Sequence, residues 1–211
     1  MRSERYYYEV AHGHGLPHDP YNSIVGPRPI GWISSKSAEG RSNLAPYSYF
    51  NAVCHRPPMI AFSSHGRKDS LCNIEQTGVF GWNLASRPTA GQMNLSSAAA
   101  PPEVNEFELA GLTEVPARLI DVSLVAEAPV SFECRKADII QLRDSNGHVI
   151  DQWLVTGEVI AVHIANEFLQ DGIYNTAAAH PILRAGGSAD YFEIKPEDHF
   201  IMRRPSWPIE P

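Results

Sequence analysis

The chain has little of what would mark several familiar protein classes. Its 211 residues include only three cysteines, Cys54, Cys72 and Cys134, far apart and with no CxxC pair. That usage excludes a disulfide scaffold and fits buried thiols in a reducing compartment. Positive charge is also scarce. The 17 Lys and Arg against 24 Asp and Glu leave a formal charge of −7, the wrong balance for a nucleic-acid binder, which carries a basic patch or stripe. No apolar run approaches the roughly 18 residues a membrane helix needs. The opening MRSERYYYEV has no apolar stretch of the kind a secretory signal requires. A soluble, cytoplasmic protein is expected. HExxH, the GxGxxG dinucleotide fingerprint, a Ser/His/Asp set and paired carboxylates are all missing, so no dedicated acid–base residue is expected. His12, His14 and His18 lie in a glycine-rich loop with no cysteine partner, which reads as solvated or capping histidine and implies no metal.

What is present suits one globular domain over 1–211, with an N-terminal arm to about 20 and a tail from about 195. The apolar share is 43%, ordinary for such a domain. Pro27 and Pro29 force an extended entry into a strand. There Ile30, Trp32 and Ser34 face one way and Gly31, Ile33 and Ser35 the other. The Ala38-Glu39-Gly40 turn returns the chain through 42–47 as a hairpin. MIAFSS after Pro57-Pro58 reads as a buried strand. Asp69 is placed to cap a helix ending at Thr77-Gly78, and VFGWNLA follows as a strand. Helical segments are expected over about 88–97 and 103–110. Ile120, Val122 and Leu124 share one strand face, and two long strands flank the Asn146-Gly147 turn. The tail reads as a helix and a closing strand. The pattern is mainly β, an antiparallel barrel or sandwich with helical decoration.

One stretch carries the chemistry. Ser63-Ser64-His65-Gly66-Arg67-Lys68-Asp69-Ser70 gathers hydroxyls, a glycine and two cations just before a helix start, where free amides and the helix dipole favour an anion. An ordinary strand-to-helix loop would have the same composition. Ser48-Tyr49-Phe50-Asn51 offers alternating hydroxyl, aromatic and amide groups to the edge of a planar ligand, or else core aromatics with polar neighbours satisfying backbone.

RPIGWIS, EGRSNLAPYSYFNAV, PPMIAFSSHGRKDSLCNIEQTG and VFGWNLA, followed by PPEVNEFELAGLTEVPARLI, VSFECR and LVTGEVIAVHI, together resemble the flavin reductase-like family of FMN-binding split barrels over about residues 21–195. The resemblance implies a six-stranded antiparallel Greek-key barrel, a homodimer, and FMN (FAD less so) near the dimer interface. Carried over, Ser48, Tyr49, Phe50 and Asn51 line the isoalloxazine and ribityl chain. Ser63, Ser64, Arg67, Lys68 and Ser70 hold the phosphate, with Arg67 and Lys68 foremost. Ser34, Ser35 and Asn83 approach the flavin. His65 stands where the family has asparagine. The implied activity is hydride transfer from NAD(P)H to flavin, with a flavin-dependent monooxygenase as a possible partner. The alternative is an FMN electron carrier or store without efficient NAD(P)H turnover, or a ligand-free barrel. His180 and Tyr191 are candidates to reach a partner subunit's flavin.

Overall fold

The alternation after Pro29 sets the architecture, because a strand with two apolar faces must be covered on both. In a computed structural model that describes residues 5–187 and 189–207, the strands are β1 (Arg28–Pro29), β2 (Gly31–Lys36), β3 (Ser42–Tyr47), β4 (Phe50–His55), β5 (Pro58–His65), β6 (Val79–Asn83), β7 (Glu114–Pro116), β8 (Ser123–Val125), β9 (Val130–Arg143), β10 (Val149–Ile164), β11 (Leu169–Gln170), β12 (Ile173–Tyr174), β13 (Ile182–Arg184) and β14 (Tyr191–Glu193). The α-helices are α1 (Tyr21–Ile24), α2 (Asp69–Thr77), α3 (Ala90–Leu95) and α4 (Glu106–Ala110).

The fold is the mainly β, antiparallel split barrel that the sequence implied. Its main sheet runs through seven strands in the order β3-β2-β6-β9-β10-β5-β4. Strands β1, β13 and β14 form a second, three-stranded sheet. The long β9–β10 hairpin turns at Asp144–Gly147, where Gly147 takes φ 86° and Asp144 Oδ1 accepts from the amides of Asn146 and His148.

Strand β2 divides the core. Ile33 joins Tyr47, Phe62, Phe80, Trp82 and Val155 under Leu71 and Ile74 of α2. On the opposite face Trp32 joins Ile30, Leu44, Met93 of α3 and Phe107 of α4. Fully buried Phe62 makes a ring pair with Tyr47 at 4.6 Å between centroids. Truncating such a buried aromatic to alanine typically costs about 3–5 kcal/mol.

Several boundaries differ from the sequence expectation. Lys68, not Asp69, is the N-cap of α2, and no side chain closes that cap. Helix α4 begins at Glu106 because the Asn105 carboxamide accepts from Phe107 N and caps it there. The strand expected to include Ile120, Val122 and Leu124 is confined to Ser123–Val125, and the run before it is loop. The tail forms a short 3-10 turn, Ala177–Ala179, before β13 rather than a helix. Among the described residues no helix is long and apolar enough to cross a membrane.

Candidate functional site

Two hollows meet on one face of the main sheet. The first, about 460 Å³, lies between β3, the β5–α2 loop and the segment 96–100, and is lined by Tyr47, Ser48, Tyr49, Ser63, His65, Lys68, Ser70 and Glu106 among others. The second, about 520 Å³, is lined by Val25, Arg28, Tyr49, Phe50, Asn51, Val53, Ser63 and Leu154 among others. Tyr49 and Ser63 belong to both, so the hollows are neighbours with a polar end and an apolar end.

The polar end follows from chain direction. Strand β5 delivers Ser63 and Ser64, and Gly66 turns the chain with φ 75°. Helix α2 starts at the hollow's edge, where Lys68, Asp69 and Ser70 line it and the first amides of a helix lack intrahelical partners. Ser63 Oγ accepts from Gln152 Nε2 at 2.6 Å, and Ser64 Oγ donates to Gly66 O at 3.0 Å. Asn43 Nδ2 donates both to Ser70 Oγ at 2.9 Å and to Ser35 Oγ at 3.1 Å. Ser35 also accepts from Asn73 at 3.2 Å. Burial pushes the Tyr47 hydroxyl and the Glu106 carboxyl above their ordinary pKa values; the bond from Leu44 N opposes this at Glu106.

The apolar end is built around Arg28, which the sequence reading did not single out. Its Nε donates to Ser48 O at 3.0 Å, and one terminal nitrogen reaches Asn22 O at 2.6 Å and Val25 O at 2.7 Å. Its guanidinium carbon lies 5.5 Å from the Tyr49 ring centroid, and Tyr49 donates to Asn22 Oδ1 at 2.8 Å. The arm before β1 is thus tied to the Ser48–Tyr49 turn. Phe50 stacks on Trp82 at 5.7 Å with planes 9° apart. It occupies space left by Gly31, where a Cβ would come within 2.7 Å of the ring. The flanking prolines of Arg28 were visible in the sequence; its contacts twenty residues on were not.

The structure brings Ser48, Tyr49, Ser63, Lys68 and Ser70 together at the first hollow, and Phe50 and Asn51 at the second. Arg67 lies apart. It pairs with Glu75 and sits 5.0 Å from the Trp153 ring centroid, so it turns away from the hollow that Lys68 lines. Ser34 and Asn83 are fully buried. Asn83 Nδ2 donates to Trp32 O and Ser34 Oγ, while its Oδ1 accepts from Val125 N and Ser131 Oγ, both at 2.9 Å. They brace β2, β6, β8 and β9 rather than line either hollow. His180 is held by Glu193 at 2.8 Å, and Tyr191 lines a different hollow beside α3 and β14.

Other candidate groups stand apart from the site. His14 Nδ1 accepts from Leu16 N at 3.0 Å and His12 lies 3.1 Å from Glu9. Cys134 is buried, and that burial pushes its thiol up; Cys54 is exposed on β4.

Known proteins share this fold. Residues 26–182 match the family model described as flavin reductase like domain. An uncharacterised protein of Halalkalibacterium halodurans is 33% identical over 177 residues, 80% of this chain and 84% of its own length. One from Aquifex aeolicus is 35% identical over 170 residues, 78% and 83% of the two chains. Among solved structures, nitrilotriacetate monooxygenase component B from Bacillus cereus superposes with a TM-score of 0.83 at 28% identity, over 94% of this chain and 100% of that one. Pseudomonas fluorescens 2-nitrobenzoate 2-nitroreductase NbaA does so with a TM-score of 0.77 at 28% identity, over 89% of each. With the split barrel and most of its length matched, the chain belongs to the flavin reductase-like family.

Proposed function

We propose that this protein binds FMN and acts as an oxidoreductase that takes hydride from NAD(P)H. The observation that carries the reading is the junction of the two hollows at Tyr49 and Ser63. It sets a hydroxyl-rich end, where Lys68 stands with Asp69 and Glu106, beside an apolar one, an arrangement that suits a phosphorylated planar cofactor. When bound, the flavin supplies the redox chemistry, accepting hydride at N5.

The residues present fit that group. Lys68, Ser70 and the first amides of α2 supply positive charge and donors to a phosphate. Ser63 and Gln152 continue that polar wall. Ser48, Tyr49, Phe50 and Asn51 offer backbone and side-chain groups along the edge of a ring. Arg28 fixes the Ser48 carbonyl, and with it the turn. Ser34, Ser35, Ser64 and Asn83 hold the strands and α2 in place beneath. Asp69 and Glu106 also line the first hollow, but hydride transfer to N5 asks no proton relay of them.

A homodimer is part of the proposal. It is supported by the exposed β4 edge and by an apolar hollow of about 480 Å³ that includes Ile30, Trp82, Phe132, Val162 and Ile164. Delivery of reduced flavin to a partner oxygenase is supported by the name of the Bacillus cereus neighbour as a monooxygenase component; a cytoplasmic location is part of the same proposal.

The test is an absorbance spectrum of the purified protein before and after anaerobic NADH and NADPH. Bleaching of a flavin band is the expected result, and the nucleotide that causes it is the donor. A band that neither nucleotide bleaches replaces the enzyme with an electron carrier or FMN store. No band after added FMN overturns the reading altogether.

A further inference from the structure

Buried polar groups in folded proteins are almost always hydrogen-bonded, and each exception calls for an explanation. Among the described residues one buried side-chain polar atom has no partner, the hydroxyl of Tyr47. Tyr47 ends β3 and is only 8% exposed. Its ring packs in the core against Phe62, which fixes the direction of the hydroxyl. The Ser64 and Ser70 hydroxyls lie close enough to oppose the effect of burial on its pKa, but neither meets it in hydrogen-bond geometry; Ser64 donates to Gly66 O and Ser70 Oγ accepts from Asn43. The same residue lines the hollow that holds Lys68 and Ser70, at the start of the nine-residue helix α2. An unpaired donor, a lysine and a helix N-terminus at one end of one hollow are complementary to an oxyanion.

We propose that the Tyr47 hydroxyl is a ligand contact, donating a hydrogen bond to a phosphate seated between Lys68, Ser70 and the first turn of α2. The inference rests on the FMN reading and adds to it a residue that discriminates phosphorylated from unphosphorylated ligand. Burial holds the phenol neutral, so it remains a donor, and its bond to a charged oxygen belongs to the stronger class of hydrogen bonds. In the free protein the same hydroxyl is a buried group without a partner, which costs stability. Binding and folding therefore respond to its removal with opposite sign.

The experiment uses the full chain and Tyr47→Phe, which removes one oxygen and keeps the ring. FMN and riboflavin affinities are measured by flavin fluorescence, and melting temperatures with and without inorganic phosphate. The variant is expected to bind FMN about tenfold more weakly, the loss of one hydrogen bond to a charged group. Riboflavin should bind as before, phosphate should protect less, and the ligand-free variant should melt no lower than wild type. Equal FMN affinity, an equal loss for riboflavin, or a lower ligand-free melting point would each overturn the proposal. The last would mean that the hydroxyl has a partner within the protein. If wild type binds no FMN but phosphate protects it more than it protects the variant, the flavin reading fails and the anion contact stands. If phosphate protects neither protein and FMN does not bind, both fall.

Discussion

At the scale of single residues, the two cations of the β5–α2 loop have separate duties. Lys68 lines the hollow, whereas Arg67 is committed to Glu75 and Trp153. Lys68→Met is expected to weaken FMN binding by about 1.5–3 kcal/mol, the range for a charge-assisted hydrogen bond. Arg67→Ala should change it by less than about 1 kcal/mol, the usual worth of an exposed pair. Titration of both variants with FMN checks this, and the reverse order would return the phosphate to Arg67. The sequence made these neighbours look alike, because adjacent letters do not reveal which side chain a positive-φ glycine turns outward. Tyr47 was equally hidden: its ring reads as core, which it is, and only the three-dimensional count of donors exposes the hydroxyl.

Glu133 is a second residue whose role the sequence concealed. Its carboxylate is fully buried on β9 and accepts from Arg118 N at 2.9 Å, Leu119 N at 2.7 Å and His163 Nε2 at 2.7 Å. Burial opposes ionisation here, but the bonds from Arg118, His163 and Leu119 prevail and hold the carboxyl below the usual range. A depressed folded pKa contributes stability above the ordinary glutamate value of about 4.3 and loses it as pH falls through the folded value. Wild type should accordingly lose stability below about pH 4. Glu133→Gln should be less stable at neutral pH by about 1–3 kcal/mol and should show a shallower acid limb. Urea melts across pH give the comparison, and parallel limbs would show that another group sets the slope.

At the scale of elements, the chain signalled its strands well and its helix ends less well. The β2–β3 and β9–β10 hairpins followed from Gly40 and Asn146-Gly147, since turn chemistry is local. Helix α2 stopped where Gly78 predicted, in the left-handed region at φ 74°. A Cβ built on Gly78 meets nothing within 4 Å, so the cost of a side chain there is purely conformational. Gly78→Ala should destabilise by about 1 kcal/mol, read from a denaturant melt; no change would mean that the helix end relaxes. Not legible was how sheet edges are treated. Leu44 N, on edge strand β3, donates to Glu106 Oε2 at 3.1 Å, and Ser42 donates to Glu114 at 2.6 Å. Those partners lie some sixty to seventy residues downstream and carry no local signal.

At the scale of the whole molecule, one edge of the main sheet is sealed by α4 and the other, β4, is bare. Val53 on β4 and Ile173 of β12 are exposed, as is Val162 of β10, which lines the apolar hollow. Sedimentation at micromolar concentration is expected to give a dimer. Val162→Asp should shift it toward monomer without unfolding it, and a dimer that persists would place the interface elsewhere. The mainly β plan was readable because period-two patterning is repeated through the chain. The pairing order was not, because β6 sits between β2 and β9, strands far from each other in the chain, and only packing decides that.

The segment 96–100 borders the first hollow as a roof. Ser96, at the start of that roof, accepts from the indole of fully buried Trp32 at 3.0 Å and donates to Met93 O at 2.8 Å. Lifting the roof would break a bond in the interior, while the Tyr49 end opens against exposed side chains. Traffic should therefore be one-way in geometry: a cofactor docks phosphate first and departs ring first. Slow release would then be governed by the anion end, and a riboflavin-like molecule, lacking that anchor, would exchange quickly through the same door.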